Sequence, residues 1–150
     1  MTLPKRKLPR LKGFDYSTEN YCFVTICTKD KKCIFGETNQ RNEFGRIAEK
    51  ELQELSEHYD GVRVEKYVIM PDHIHAIIVI GCDDAERSRP FPTLSTVVGL
   101  YKSGVSRKIH EKCPELEVWQ KSFYDSIIRD DKDYMEIWKY IDGNPCKERP

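Results

Sequence analysis

The chain has no net charge to speak of: 25 Lys and Arg residues balance 25 Asp and Glu residues over 150 positions. That balance excludes a protein which collects nucleic acid through its overall field. Long apolar runs are also missing, and no stretch approaches the roughly 18 apolar residues that a membrane span needs. The N-terminus is basic, but no apolar segment of the secretory kind follows it. No internal repeat or low-complexity tract stands out. Six cysteines are present, yet Cys22, Cys27, Cys33, Cys82, Cys113 and Cys146 include no Cys-x-x-Cys pair. Their spacing argues against both a zinc site and a disulfide framework. Cys22 and Cys27 fall inside an apolar run, where a free thiol behaves as a small hydrophobe. The expectation is one soluble, reduced, cytoplasmic domain spanning 1–150, with enough chain for a single core.

What the chain does have is unevenly placed charge. Lys5, Arg6, Lys7, Arg10 and Lys12 fall within residues 1–13 with no acid among them, whereas 49–60 and 83–86 are mainly acidic. A local basic arm binds phosphate even on a neutral protein, although such a segment is as often a solvated terminus.

Strand and helix patterns alternate along the chain. Tyr21–Thr28 reads as a strand, Lys29–Lys32 as a turn, and Cys33–Phe35 as its returning hairpin partner. Phe44, Ile47, Ala48, Leu52 and Leu55 fall at helical spacing, and Gly61 ends that helix. Val62, Val64 and 67–70 suggest a second strand, and Pro71-Asp72 turns into a third at 73–80. Residues 81–92 read as a loop. Leu94–Ile109 is helical in period, with Lys102, Arg107 and Lys108 off its apolar face. Val118–Tyr124 reads as another short strand. Asp130 or Asp131 caps a final helix that runs to about Asp142, where Gly143 and Pro145 stop it.

Within this layout, Tyr67-Val-Ile-Met-Pro-Asp-His-Ile-His-Ala-Ile-Ile-Val-Ile80 is the most informative stretch. Strand side chains alternate faces, so His73 and His75 point the same way with Cα atoms roughly 6.5–7 Å apart. Two imidazoles at that spacing can converge on one cation. Taken alone, the pair is incidental about as often as functional. The final helix adds Tyr140, with Asn144 four residues on; if the last turn persists, both lie on one helical face. A phenol can attack phosphorus, and an amide oxygen is a hard ligand for Mg²⁺ or Mn²⁺. The ordinary reading of each, an amphipathic packing residue and an Asn-Pro stop signal, is the stronger one without further context.

The combination supplies that context. The paired histidines with their Tyr-Val-Ile-Met-Pro-Asp lead-in, followed by Lys139-Tyr140-Ile141 and an amide at the fourth position, resemble the HUH motif of single-tyrosine transposases. Tyr21–Thr28, Trp119-Gln120, Ile127-Ile-Arg-Asp130 and Tyr140-Ile-Asp-Gly-Asn-Pro145 look like the REP-associated tyrosine transposase branch, and the resemblance covers about residues 8–146. It implies an α+β fold: a ferredoxin-like, antiparallel sheet of four or five strands with helices packed on it and the histidines on a central strand. It also implies His73 and His75 as metal ligands for Mg²⁺ or Mn²⁺, Tyr140 as the nucleophile, and Asn144 at the third ligand position. Asparagine departs there from the glutamine of the insertion-sequence branch and has a shorter reach.

The substrate implied is single-stranded DNA with palindromic hairpin ends, cut and rejoined through a 5′-phosphotyrosine, in the cytoplasm at the nucleoid. Lys5, Arg6, Arg10 and Lys12 of the arm, with Lys102, Arg107 and Lys108, are expected at the DNA backbone. Phe14, Tyr16 and Tyr124 are candidates for base stacking, each as readily ordinary packing. The short tail after Asn144 favours a monomer acting in cis over a homodimer. Two alternatives stand beside this reading: a hairpin-binding protein that no longer cleaves, and a metal-dependent hydrolase using water. The second lacks a general base, since Asp72 would face away if the strand began there. His58, His110 and Tyr134 are read as surface or packing residues.

Overall fold

The computed structural model describes residues 20–37, 40–59, 61–81 and 92–147, with only the backbone of Asn20 and 144–147. Its main sheet is antiparallel with strand order β4-β5-β1-β6. The strands are β1 (Asn20–Cys27), β4 (Val62–Ile69), β5 (His73–Ile80) and β6 (Tyr124–Ile127); a small hairpin, β2 (Gly36–Glu37) with β3 (Gln40–Arg41), stands apart. Helices α1 (Glu43–Gln53), α2 (Leu55–His58), α3 (Leu94–His110) and α4 (Asp131–Lys147) complete the fold. Leaving the hairpin aside, the order strand–helix–strand–strand–helix–strand in this arrangement is the ferredoxin-like plan that the sequence implied. Among the described residues no helix is long and apolar enough to cross a membrane.

Alternation along β5 divides the core in two. Ile74, Ala76, Ile78 and Ile80 join Val24, Ile26, Ala48, Leu52, Val98 and Val105 beneath α1 and α3. Ile77 and Val79 face the other way and pack with Tyr21, Tyr134, Trp138 and Ile141 beneath α4. A strand buried on both faces must be apolar throughout, which is why residues 74–80 read as an uninterrupted hydrophobic run. His73 and His75 share the α4 side by the same alternation.

Local sequence explains most boundaries. Asn42 caps α1 by accepting from the Gly45 amide at 2.9 Å, and Thr93 caps α3 by accepting from Thr96 at 3.1 Å. Asp130 caps α4 through the Asp133 amide at 2.8 Å. Gly61 takes φ 78°, a left-handed conformation that ends the α2 segment and turns the chain into β4.

Three expectations are corrected. Cys33–Phe35 does not pair with β1, because β5 and β6 already occupy both edges of that strand. Phe35 is instead fully buried, and its amide donates to the Pro71 carbonyl at 3.2 Å. Residues 118–124 are not a strand: Trp119 makes one isolated bridge to Thr28, Ser122 adopts φ 68°, and regular pairing starts only at Tyr124. The last helix does not stop at Gly143 and Pro145 but continues to Lys147. Proline lacks the amide hydrogen yet has a helical φ, so near a helix end it costs one bond without forcing the chain out. The loop predicted for 81–92 lies, but for its two ends, outside the described residues, as does the basic arm.

Candidate active site

The fold gathers residues from β1, β5 and α4 into one cluster. His73 and His75 stand two residues apart on β5, with ring centroids 4.7 Å apart. Tyr140 descends from α4 until its ring lies 5.4 Å from that of His75. Phe23 of β1 stacks on His75 at 5.3 Å and meets Tyr140 edge-on at 6.2 Å. The sequence-predicted pair and the sequence-predicted tyrosine are therefore neighbours in space. Asn144 follows one turn after Tyr140 on the same continuous helix, but its side chain lies outside the described residues.

Each imidazole is oriented through its Nδ1 atom. Asp72 Oδ1 lies 2.6 Å from His73 Nδ1, and Thr25 Oγ1 lies 3.0 Å from His75 Nδ1. Strand β5 begins at His73, so Asp72 belongs to the turn and can reach back to its neighbour. The expectation that it faces away is corrected. Thr25 sits directly across from His75 in the β1–β5 register. Sequence reasoning missed both partners: Asp72 was legible from its place beside His73, but Thr25 becomes a partner only through strand register.

Burial sets the electrostatics of His75. The residue is 6% exposed. Loss of water, with the neighbouring His73 adding to it, pulls its pKa down from 6.5 to about 4. The ring is therefore neutral at pH 7, the form that binds a metal. Its Nε2 atom is buried without a hydrogen-bond partner. A buried polar atom of that kind costs stability unless something pairs with it, so the site suits a cation better than an empty apolar core. Among the described residues no group of three or more His, Cys, Asp or Glu is placed to hold a metal.

The described cations expected at DNA lie away from this cluster. Lys102 donates to the Gln120 and Ser122 carbonyls at 2.9 and 2.8 Å, which ties the segment before β6 to α3. Lys108 pairs with Glu51 of α1, and Arg107 is exposed. All three belong to α3, on the opposite side of the sheet from Tyr140. Lys5, Arg6, Arg10, Lys12, Phe14 and Tyr16 lie outside the described residues. His58 pairs with Glu54 at 3.7 Å, and His110 donates to the Leu116 carbonyl at 2.7 Å, both away from the cluster. Cys22 and Cys27 are buried free thiols, and burial pushes Cys22 up to about 11.

Residues 15–144 match the family described as Transposase IS200 like. The chain belongs to the IS200-like transposases. A Haemophilus influenzae protein named as a REP-associated tyrosine transposase is 31% identical over 136 residues, covering 89% of this transposase and 74% of the relative. That similarity puts the transposase on the REP-associated branch. An uncharacterized protein of the same organism is 32% identical over 158 residues, covering 93% of this chain and 88% of its own. Among solved structures, a REP-associated tyrosine transposase bound to a REP hairpin superposes with a TM-score of 0.63 at 19% identity, over 86% of this chain and 68% of that one. A protein of Deinococcus radiodurans R1 described as a transposase superposes with a TM-score of 0.56 at 15% identity, over 95% and 97%. At such identities the two structures speak to the fold alone, and they agree on it.

Proposed function

We propose that this transposase is a metal-dependent, single-strand DNA endonuclease and strand transferase that acts at palindromic hairpins, with Tyr140 as its nucleophile. The observation that carries the reading is the contact of Tyr140 with His75, whose buried Nε2 lacks a partner. With Asp72 and Thr25 accepting from the Nδ1–H groups, both histidines keep the tautomer that leaves Nε2 to a ligand. His73 and His75, with the Asn144 amide as third ligand, would hold Mg²⁺ or Mn²⁺, which when bound polarises a non-bridging phosphate oxygen.

Tyr140 then supplies the attacking oxygen. Its bond to phosphorus forms as the bond to the 3′ oxygen breaks; the phenolic proton passes to solvent, and the 3′ oxygen takes a proton from solvent and leaves as a hydroxyl. The 5′ phosphate stays on Tyr140. An incoming 3′-hydroxyl reverses the step and releases the phenol, so rejoining consumes no ATP. Phe23 stacks on His75 and meets Tyr140 edge-on, which holds the two rings side by side. Hairpin DNA as the partner rests on the REP-associated relatives, one of them seen with a REP hairpin. Backbone contact falls to the basic arm and to Arg107, and a stem reaching α3 must pass around the sheet edge.

Cleavage of a hairpin oligonucleotide with single-stranded flanks tests the metal. EDTA should abolish nicking, and Mg²⁺ or Mn²⁺ should restore it. His73→Ala should lose at least about tenfold in nicking, in line with loss of a metal ligand or its orienting partner, while hairpin binding persists. Undiminished nicking in EDTA would contradict the assignment.

A further inference from the structure

Among the described residues the α4 side of the sheet is covered only in part. Helix α4 packs over β4 and β5 and over Tyr21 and Phe23 of β1, and among the described residues the Thr25 end of β1 and strand β6 are left uncovered on that face beside the site. One cross-strand row crosses this boundary: Val68 pairs with His75, His75 with Thr25, and Thr25 with Tyr124. Directly opposed residues share a face, so Tyr124 stands on the same side as His75 and Tyr140. It lies two strands from His75, about 9.6 Å between Cα atoms at 4.8 Å per strand. Exposure rises along the row, from buried His75 through half-buried Thr25 to Tyr124 at 63%. Ser126, the next residue on this face, is exposed as well.

A tyrosine on an outermost strand ordinarily folds its ring over neighbours, since an aromatic exposed this far gains little from folding. Here its neighbour Phe123 takes that part, packing into the core on the opposite side. The strand itself is firmly seated. Lys102 holds the Gln120 and Ser122 carbonyls, the Gln120 amide donates to the Cys27 carbonyl at 3.0 Å, and the Ile128 amide donates to Tyr21 at 2.8 Å. Tyr124 is thus a firmly mounted, exposed ring on a shelf that leads to Tyr140 and that no other described residue covers.

We infer that Tyr124 is a stacking platform for an unpaired base of the DNA strand that enters the site, next to the scissile phosphate. The inference rests on the function proposed above. The shelf is continuous with the site, and the phosphate must approach Tyr140 from the side that α4 leaves uncovered. A flat ring accepts any base, so the contact holds the strand in place without choosing its sequence.

Binding measured in the Tyr140→Phe background, where no cleavage step intervenes, tests the inference with two oligonucleotides: a hairpin alone and the same hairpin with a single-stranded extension through the cleavage site. Tyr124→Thr keeps strand propensity and removes the ring, whereas Tyr124→Phe keeps the ring. Tyr124→Thr should weaken binding of the extended hairpin by about 5- to 150-fold, the range for one lost base–aromatic stack, with the bare hairpin unaffected. Tyr124→Phe should bind as its parent does, and 2-aminopurine beside the scissile position should be quenched by the parent and not by Tyr124→Thr. Equal affinities for the two oligonucleotides across all variants would overturn the inference while leaving a tyrosine adduct on otherwise native protein intact. Loss of dimer in Tyr124→Thr with unchanged DNA binding would overturn it too, assigning the shelf to a second copy. Failure of the parent to bind the extension at all, with no adduct on native protein, would remove the inference and the proposed function together.

Discussion

His75 is neutral because its surroundings remove water and place His73 alongside. The sign of the resulting pH effect follows from the two pKa values. Above pH 6.5 the ring is neutral folded or unfolded, and stability does not depend on it. As pH falls from 6.5 toward about 4, the unfolded chain takes up a proton that the folded protein refuses, so stability drops. The metal-free protein, kept in chelator, should lose about 3 kcal/mol of unfolding free energy across that window through this residue, at about 1.4 kcal/mol per pKa unit. Urea titrations at pH 7 and pH 4 check it: His75→Asn should show a smaller decline between the two than the parent. Equal declines would mean that the ring is not held neutral by the fold. At this scale the shared face of His73 and His75 is legible in the sequence, because a strand with a two-residue repeat and an apolar run fixes it, whereas Tyr140, on a helix, stands out only through the family resemblance. Thr25 is not legible, since nothing in residues 20–28 states which strand will lie opposite.

Helix α4 carries Tyr140, and polar contacts with β4 fix its position. Tyr134 is fully buried and donates to Glu65 Oε1 at 2.6 Å, while Arg63 holds the same carboxylate from the side at 2.8 Å. Lys66 pairs with Asp142 at 2.7 Å and lies 4.0 Å from the Trp138 ring centroid. The irregularity of β4 between Val64 and Lys66 turns Glu65 toward the helix. Tyr134→Phe should lower stability by about 1.5–3 kcal/mol, because a buried carboxylate loses a donor. The variant should still form the covalent adduct at reduced temperature, and the shift of its urea midpoint gives the magnitude. A midpoint equal to the parent's would show that the contact does not anchor the helix. The extent of α4 was half legible. Its start follows from Asp130 and its apolar spacing, but Gly143 and Pro145 read as a stop, although the helix runs on to Lys147. In the same way Cys33–Phe35 looks like a hairpin partner by composition, and only the pairing of β5 and β6 with β1 excludes it.

Among the described residues, the molecule is a ferredoxin-like sheet in which one face is closed by α1 and α3 and the other is shared between α4 and an uncovered shelf. The sequence pattern conveys the alternation of strands and helices, but the strand order came from family resemblance and not from periodicity, because the same elements fit other α+β arrangements. That order matters for function. It sets β5 between β4 and β1, so the histidines stand in the interior of the sheet, under α4 and beside the uncovered shelf. The most direct test of the account is to incubate the protein, with Mg²⁺ or Mn²⁺, with a hairpin oligonucleotide labelled at the scissile phosphate, then denature, digest and locate the label by mass spectrometry. The label should sit on Tyr140 as a 5′-phosphotyrosine, survive boiling in detergent, and vanish in Tyr140→Phe with hairpin binding intact. Cleavage by Tyr140→Phe at the parent's rate, or label on another residue, would contradict the central claim.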